Sequence, residues 1–408
     1  LTFLVTIIVL LWAGNAAGGA ALNAVASIIT MFFLYSYGMI NLAAFIEDFG
    51  ENPSFRPTFR YYHWGVALFG AIGCTVVSFL INPLAALSAI ALIALFLWYI
   101  KSRHLKATFG DAKRGFVYNA IRKNLLRLSN MPEDRRNWRP TVLVFSGNPA
   151  EREVVSSYAV WLASKHGLVY LANILAGDFK EYAPRRSGAV AQLKKFCREK
   201  EVEAFPIVVT ADTMEHGVSM LLQATHTGPI HPNVAIFGWT TEYDHLPAYL
   251  RQLRIASTLG MNILLFSGKE MPGLQPGKKI DIWWRGRKNG DLMVLLGYLL
   301  AENWEWHSSR IRLLRVVKQE EGREPARADL QILIGRARIN ALAEIIVSDE
   351  MFEDIFFENS KNADCVILGF ELPEEGHERT WHGFYQKLLL KMPTTILVNS
   401  QESDLLEM

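Results

Sequence analysis

Five polar side chains, Asn23, Ser27, Thr30, Tyr37 and Asn41, recur at intervals of 4, 3, 7 and 4 residues. They lie inside a stretch, 22–46, that holds no Asp, Glu, Lys or Arg. This spacing puts them on one stripe of a helix, and in lipid such a stripe faces the protein interior or a water-filled path. A tyrosine hydroxyl there can donate a hydrogen bond to an anion without a buried cation beside it. The chemistry on offer is recognition of a small ion, with Thr30 and Asn41 as pathway-lining candidates around Tyr37. The same residue types also serve packing: Ser27 and Thr30 can bond back to the preceding turn, and Asn23 and Asn41 can join helices. Spacing alone leaves both readings open.

Elsewhere the chain offers no chemistry of a familiar kind. There is no G-x-G-x-x-G, no G-x-x-x-x-G-K-[ST] and no G-x-S-x-G, hence no recognisable phosphate loop or nucleophile elbow. His216, His226 and His231 are separated by 10 and 5 residues, which matches no common metal spacing. Cys74, Cys197 and Cys365 read as unpaired thiols, small buried hydrophobes in effect. No enzyme site, cofactor or metal centre is expected.

The elements that must carry the stripe follow from composition. The 408 residues hold 42 Lys+Arg against 40 Asp+Glu, but residues 1–100 contain only Glu47, Asp48, Glu51, Arg56 and Arg60. The remaining 77 charges fall in 101–408, an ordinary density for a globular domain. A purely soluble protein, a disordered chain and a disulfide scaffold are excluded, and a net charge of +2 gives no field for nucleic acid. Residues 22–46 and 61–81 are long enough to span hydrocarbon, and 84–100 reaches the short limit. Leu1–Ala13 reads as the end of a helix whose start is missing, so the chain is expected to be a fragment. Basic residues in the 47–60 connection and after residue 100, against none in 14–21 or at Asn82–Pro83, place the C-terminal region in the cytoplasm.

Positions 31–41 read MFFLYSYGMIN, 52–64 read NPSFRPTFRYYHW, and two short spans flank Asn82. This run resembles the cation–chloride cotransporters, over the last four of their twelve membrane helices. Phe55 stands where the family more often has Trp. The resemblance continues through FGDAKRGFVYNAIRKNLLRL (109–128), NWRP (137–140), DIWW (281–284) and GDLMVLLGYLL (290–300). The RYYHW and FGD…RG…LLRL wording leans to the potassium–chloride branch. The resemblance implies the end of an inverted-repeat amino-acid/polyamine/cation transporter fold in an all-α membrane segment at the plasma membrane. It also implies that Tyr37 coordinates chloride and that the chain forms a homodimer through its cytoplasmic domain. Chloride would move with potassium, with sodium as a further option, and the helices that would hold the cation are absent from this chain. An amino-acid permease of the same superfamily and a membrane-anchored sensor or partner subunit remain as rivals.

Between residues 101 and 127 eight Lys/Arg face one acid, Asp111, and the apolar positions of 116–128 fall near one helical face. Residues 101–130 are therefore read as a basic amphipathic connecting helix beside membrane lipid, each cation contributing about 1 kcal/mol of attraction. A helix simply packed on its own cytoplasmic domain is the alternative. Beyond Pro140, β-branched runs alternate with amphipathic helices, which predicts parallel sheets covered on both faces. A Gly/Pro linker at 268–278 separates two pseudo-equivalent α/β lobes, 131–267 and 279–408. Each resembles a universal stress protein, as the family's cytoplasmic domain does. Gly369, Gly376 and Gly383 recur where nucleotide-binding members carry a glycine-rich turn, but Glu371, Glu374, Glu375 and Glu378 would repel a phosphate there. Trp283 and Trp284 are expected in the core or at the lobe interface.

Overall fold

The computed structural model describes residues 7, 19–50, 55, 62–102, 112–132, 134, 137–148, 152–164, 166–268, 270–273, 275–402 and 405–406. Of the expectations above, Leu1–Ala13 (Ile7 apart), the arginines of the 47–60 connection and the basic residues 103 and 106 lie outside this description. The chain forms two compact units, Leu1–Asn130 and Met131–Met408.

The first unit is helical: α1 (Gly19–Phe49), α2 (Trp64–Ile81), α3 (Pro83–Ser102) and α4 (Ala112–Leu128). Two stretches, Ile29–Phe49 and Trp64–Ile81, are long and apolar enough to cross a membrane, and Ala86–Ile100 is a shorter apolar helix. Small residues let α1 and α2 approach closely. A Cβ on Gly70 would lie 3.1 Å from the Asn41 side chain, and one on Gly38 would lie 3.3 Å from Cys74. The break between α2 and α3 uses Asn82 as C-cap and Pro83 at the first helical position, where a missing N–H costs nothing. Tyr35 then ties α1 to α3 by donating to the Ala86 carbonyl at 3.0 Å. Phe32, Phe69, Leu80, Leu84 and Leu92 are exposed on these helices, as apolar solvent would require. In α4, Phe116 packs on Phe49 with ring centroids 5.7 Å apart, while Val117, Tyr118, Ile121 and Leu128 are exposed.

The second unit repeats one pattern twice. The first round is β1 (Thr141–Phe145), α5 (Glu153–Ala163), β2 (Leu168–Ala176), α6 (Phe179–Glu199), β3 (Phe205–Ala211), α7 (Met214–Thr225), β4 (Val234–Gly238), α8 (Leu246–Thr258) and β5 (Asn262–Ser267). The second round is β6 (Lys279–Trp283), α9 (Arg287–Ala301), β7 (Arg310–Val317), α10 (Arg323–Ala337), β8 (Ala341–Val347), α11 (Phe352–Ser360), β9 (Cys365–Gly369), α12 (Glu378–Leu389) and β10 (Thr395–Asn399).

The two lobes do not keep separate sheets. All ten strands form one sheet in the order β3-β2-β1-β4-β5-β10-β9-β6-β7-β8. Neighbours pair in parallel, except that β10 runs antiparallel to β5, with Leu397 opposite Leu265 and Val398 opposite Leu264. The physical reason lies in the strands themselves. Ile263, Leu264, Leu265, Ile396, Leu397 and Val398 are all buried, and an open edge made of them would leave unpaired backbone and apolar surface in water. A two-fold relation about the seam reverses the strand direction while leaving each face of the sheet on its own side. Accordingly α5, α6, α9 and α10 pack on one face, and α7, α8, α11 and α12 on the other.

Polar bonds also cross the seam. Trp239 Nε1 donates to Gln386 Oε1 at 2.6 Å, and Asn303 Nδ2 donates to the Trp161 carbonyl at 2.8 Å. Trp283 is buried in the core, as expected for it. Trp284 instead lies half-buried at the end of β6, so close over α9 that a Cβ on Gly290 would meet its ring at 2.1 Å.

Candidate functional site

On α1 the three candidate residues share one stripe, but they differ in what their polar atoms do. Thr30 Oγ1 donates back to the Ala26 carbonyl at 2.8 Å. Asn41 Nδ2 donates to the Tyr37 carbonyl at 3.0 Å and lies against Gly70 of α2. Both thus make the local bonds that helix packing alone would call for. Tyr37 is 58% exposed, its ring stacks on Phe33 at 6.3 Å, and its hydroxyl has no hydrogen-bond partner among the described residues. Of the three side chains, that of Tyr37 alone makes no hydrogen bond among the described residues. The side chains of Asn23 and Ser27 lie outside the description.

A second feature of this unit escaped the spacing argument. A cavity of about 530 Å³ opens among α1, α2 and α3, bordered by Tyr35, Gly38, Cys74, Thr75 and Ile90. It sits on the Tyr35 side of α1, away from the Tyr37 stripe, because Tyr35 is two residues and therefore about 200° around the helix. Its wall is mostly apolar, and the Thr75 hydroxyl is spent on the Ala71 carbonyl at 2.9 Å. This lining suits a hydrocarbon group, not an ion.

In the second unit the DIWW segment carries a buried ionic cluster. Asp281, fully buried on β6, accepts from Arg312 Nε at 2.8 Å and Nη2 at 2.7 Å, from Ser360 Oγ at 2.7 Å, and stands beside Ile280 and Ile282. Arg312 of β7 also donates to Glu344 of β8 at 2.9 Å and to the Asn359 carbonyl. Trp283 Nε1 completes the set by donating to Ser360 Oγ. Each acceptor and donor is paired, so this is a cross-strand clamp and not a reactive site. Sequence spacing gave one signal for it, an Asp inside an otherwise apolar strand.

Two of the thiols, Cys197 and Cys365, are held protonated. Burial pushes the Cys365 thiol far above its ordinary value, and the same cause raises Cys197, so neither is a thiolate at neutral pH. The glycine-rich turn closes on itself: Glu378 Oε2 accepts from the Gly376 N–H at 2.9 Å, and Arg254 approaches the same carboxylate at 3.5 Å. These bonds, the Glu378 backbone N–H first, hold that carboxyl below its usual range.

Comparison with known proteins gives the following. A family model described as amino acid permease matches residues 1–144, and one described as solute carrier family 12 matches residues 152–264 and 261–382. Among solved structures, the cytoplasmic domain of a prokaryotic cation chloride cotransporter aligns with a TM-score of 0.51 at 19% identity, covering 66% of this chain and 99% of that one. A universal stress protein from Archaeoglobus fulgidus aligns with a TM-score of 0.45 at 10% identity, over 65% of this chain and 98% of that one.

Proposed function

The chain belongs to solute carrier family 12, and from that premise we propose that it serves cotransport of chloride with a cation across the plasma membrane. The observation that carries this reading is the family match across residues 152–382, joined to a second unit whose fold is that of a prokaryotic cation chloride cotransporter's cytoplasmic domain. Apolar helices α1, α2 and α3 supply the membrane part, and the two-lobed unit lies in the cytoplasm, where it mediates homodimerisation and tunes the rate. Potassium is the cation, as the potassium–chloride wording of the sequence implies. Tyr37 donates its free hydroxyl to chloride, with Thr30 and Asn41 beside it on the same stripe. Rubidium uptake should be measured in cells expressing the whole open reading frame that contains this chain. Uptake that collapses when chloride is replaced by gluconate supports the proposal; uptake indifferent to chloride sinks it.

Within that reading, Tyr37→Phe removes one donor and should raise the chloride concentration for half-maximal uptake about tenfold, since a bond to a charged group is worth ~1.5–3 kcal/mol. An unchanged chloride dependence would remove Tyr37 from the site. The amino acid permease match over 1–144 favours one second reading, in which the solute is an amino acid. Inhibition of uptake by amino acids at constant chloride would select it.

A further inference from the structure

A cavity of about 340 Å³ lies on the second lobe, where the loop after β6 meets α9 and α10. Trp284, Leu333 and Leu406 form its apolar wall, and four arginines, Arg285, Arg287, Arg315 and Arg336, stand around it. Among the described residues two carboxylates line the same cavity: Asp329, which holds Arg315 at 3.2 Å, and Asp291, buried on α9. Arg285 and Arg336 are exposed and have no hydrogen bond or ion pair among the described residues. Among the described lining residues, four arginines against two aspartates leave two positive charges in excess. The α9 end adds to the same field. Its N-cap is Gly286, no side chain caps it, and its first turn holds Arg287 and Lys288 with no acid, the reverse of what a helix dipole favours.

The fold does not require these arginines, and the first lobe shows it. The β1–β2 and β6–β7 registers place Thr141 with Leu168 and Lys279 with Arg310. By that correspondence Ser146, Gly147 and Asn173 occupy the positions of Trp284, Arg285 and Arg315. One lobe builds this corner from small neutral residues; the other builds it from an indole and guanidinium forks. Guanidinium groups match carboxylate and phosphate oxygens bidentately, the volume is that of a small-ligand pocket, and Trp284 offers a flat apolar wall. Chloride alone would leave most of the space unfilled.

We propose that this cleft is a regulatory binding site for a small organic or condensed anion carrying two or more phosphate or carboxylate groups. Arg285 and Arg336 supply the unspent charge, Arg315 is held ready by Asp329, and Trp284 packs against the body of the ligand. The proposal concerns the second lobe alone and stands whichever solute the membrane part carries.

The test is isothermal titration of the detergent-solubilised 408-residue chain with pyrophosphate and, separately, citrate, against sodium chloride at matched ionic strength. Saturable 1:1 binding of either probe is expected. Pyrophosphate alone identifies a phosphate ligand, and citrate alone a carboxylate ligand. R285Q/R336Q should weaken it at least tenfold, since each lost charge-assisted bond is worth about a factor of ten or more, with an unchanged melting temperature. K194Q/K195Q, two exposed lysines of α6, should bind as the parent does. Silence with both probes, an equal response to chloride, or R285Q/R336Q binding like the parent would overturn the assignment.

Discussion

The two lobes of the second unit share strand order, helix placement and handedness, yet they fill equivalent positions with opposite chemistry. At the middle of β1 and β2 the first lobe pairs Leu143 with Tyr170; at the matching point of β6 and β7 the second pairs Asp281 with Arg312. Helix α7 is capped by Thr213, which accepts from the His216 N–H at 3.1 Å, whereas its counterpart α11 starts at Met351 with no side-chain cap. The fold tolerates either choice, because a doubly covered parallel sheet asks only that inward side chains fill space and satisfy their polar atoms. What differs between the lobes is thus free of the fold's demands, and that is where function or specificity can reside.

The largest effect expected is at the clamp. Asp281→Ala leaves Arg312 without its main partner among Ile280, Ile282 and Trp283, and should cost about 3–5 kcal/mol in urea denaturation. Asp281→Leu combined with Arg312→Tyr installs the first lobe's own pair, and most of the loss should return, since apolar replacement of a buried ion pair is often neutral. If the double variant is as unstable as the single one, the two lobes are not interchangeable at this point.

A smaller effect separates α7 from α11. Thr213→Ala should cost about 1 kcal/mol, and Met351→Ser should add a few tenths to 1 kcal/mol, because Met351 already has the extended backbone of an N-cap. Melting temperatures moving in the same direction for both would break the comparison.

The smallest effect is a pH dependence at the end of α7 in the first lobe. Desolvation, and then the neighbouring His231 ring 4.5 Å away, hold the His226 imidazole below its ordinary value. Between the depressed folded pKa and the unfolded value near 6.5 the unfolded chain binds more protons. Stability therefore rises with pH through that window and is lost as pH falls below about 6.5. Lys361 ends the equivalent helix α11. His226→Gln should flatten the stability profile between about pH 5 and 7; an unchanged slope would place the acid sensitivity elsewhere.

Much of this architecture was legible in the chain. Every strand from β1 to β10 coincides with a short run rich in apolar and β-branched residues such as TVLVF or RIRLLRVV, because strands covered on both faces are mostly apolar. Two helices were not legible. Arg323–Ala337 is rich in charge and buries only Ala326 and Leu330 completely, and Phe352–Ser360 is a nine-residue helix, too short to show its period. The stripe through Tyr37 could be read from spacing, since helical period is local. That Thr30 and Asn41 spend their polar atoms on Ala26 and Tyr37 could not, because bland and functional uses share the same spacing.

By itself the sequence determined the apolar helices, the ten strands and the repeat of the pattern, because each is a matter of local period and composition. Only the tertiary structure decided that β5 and β10 close two lobes into one sheet, and that Arg285, Arg315 and Arg336 converge. Those facts depend on residues about 20 to more than 100 positions apart coming together, and no local period records which buried edge meets which, or which charges a fold leaves without a partner.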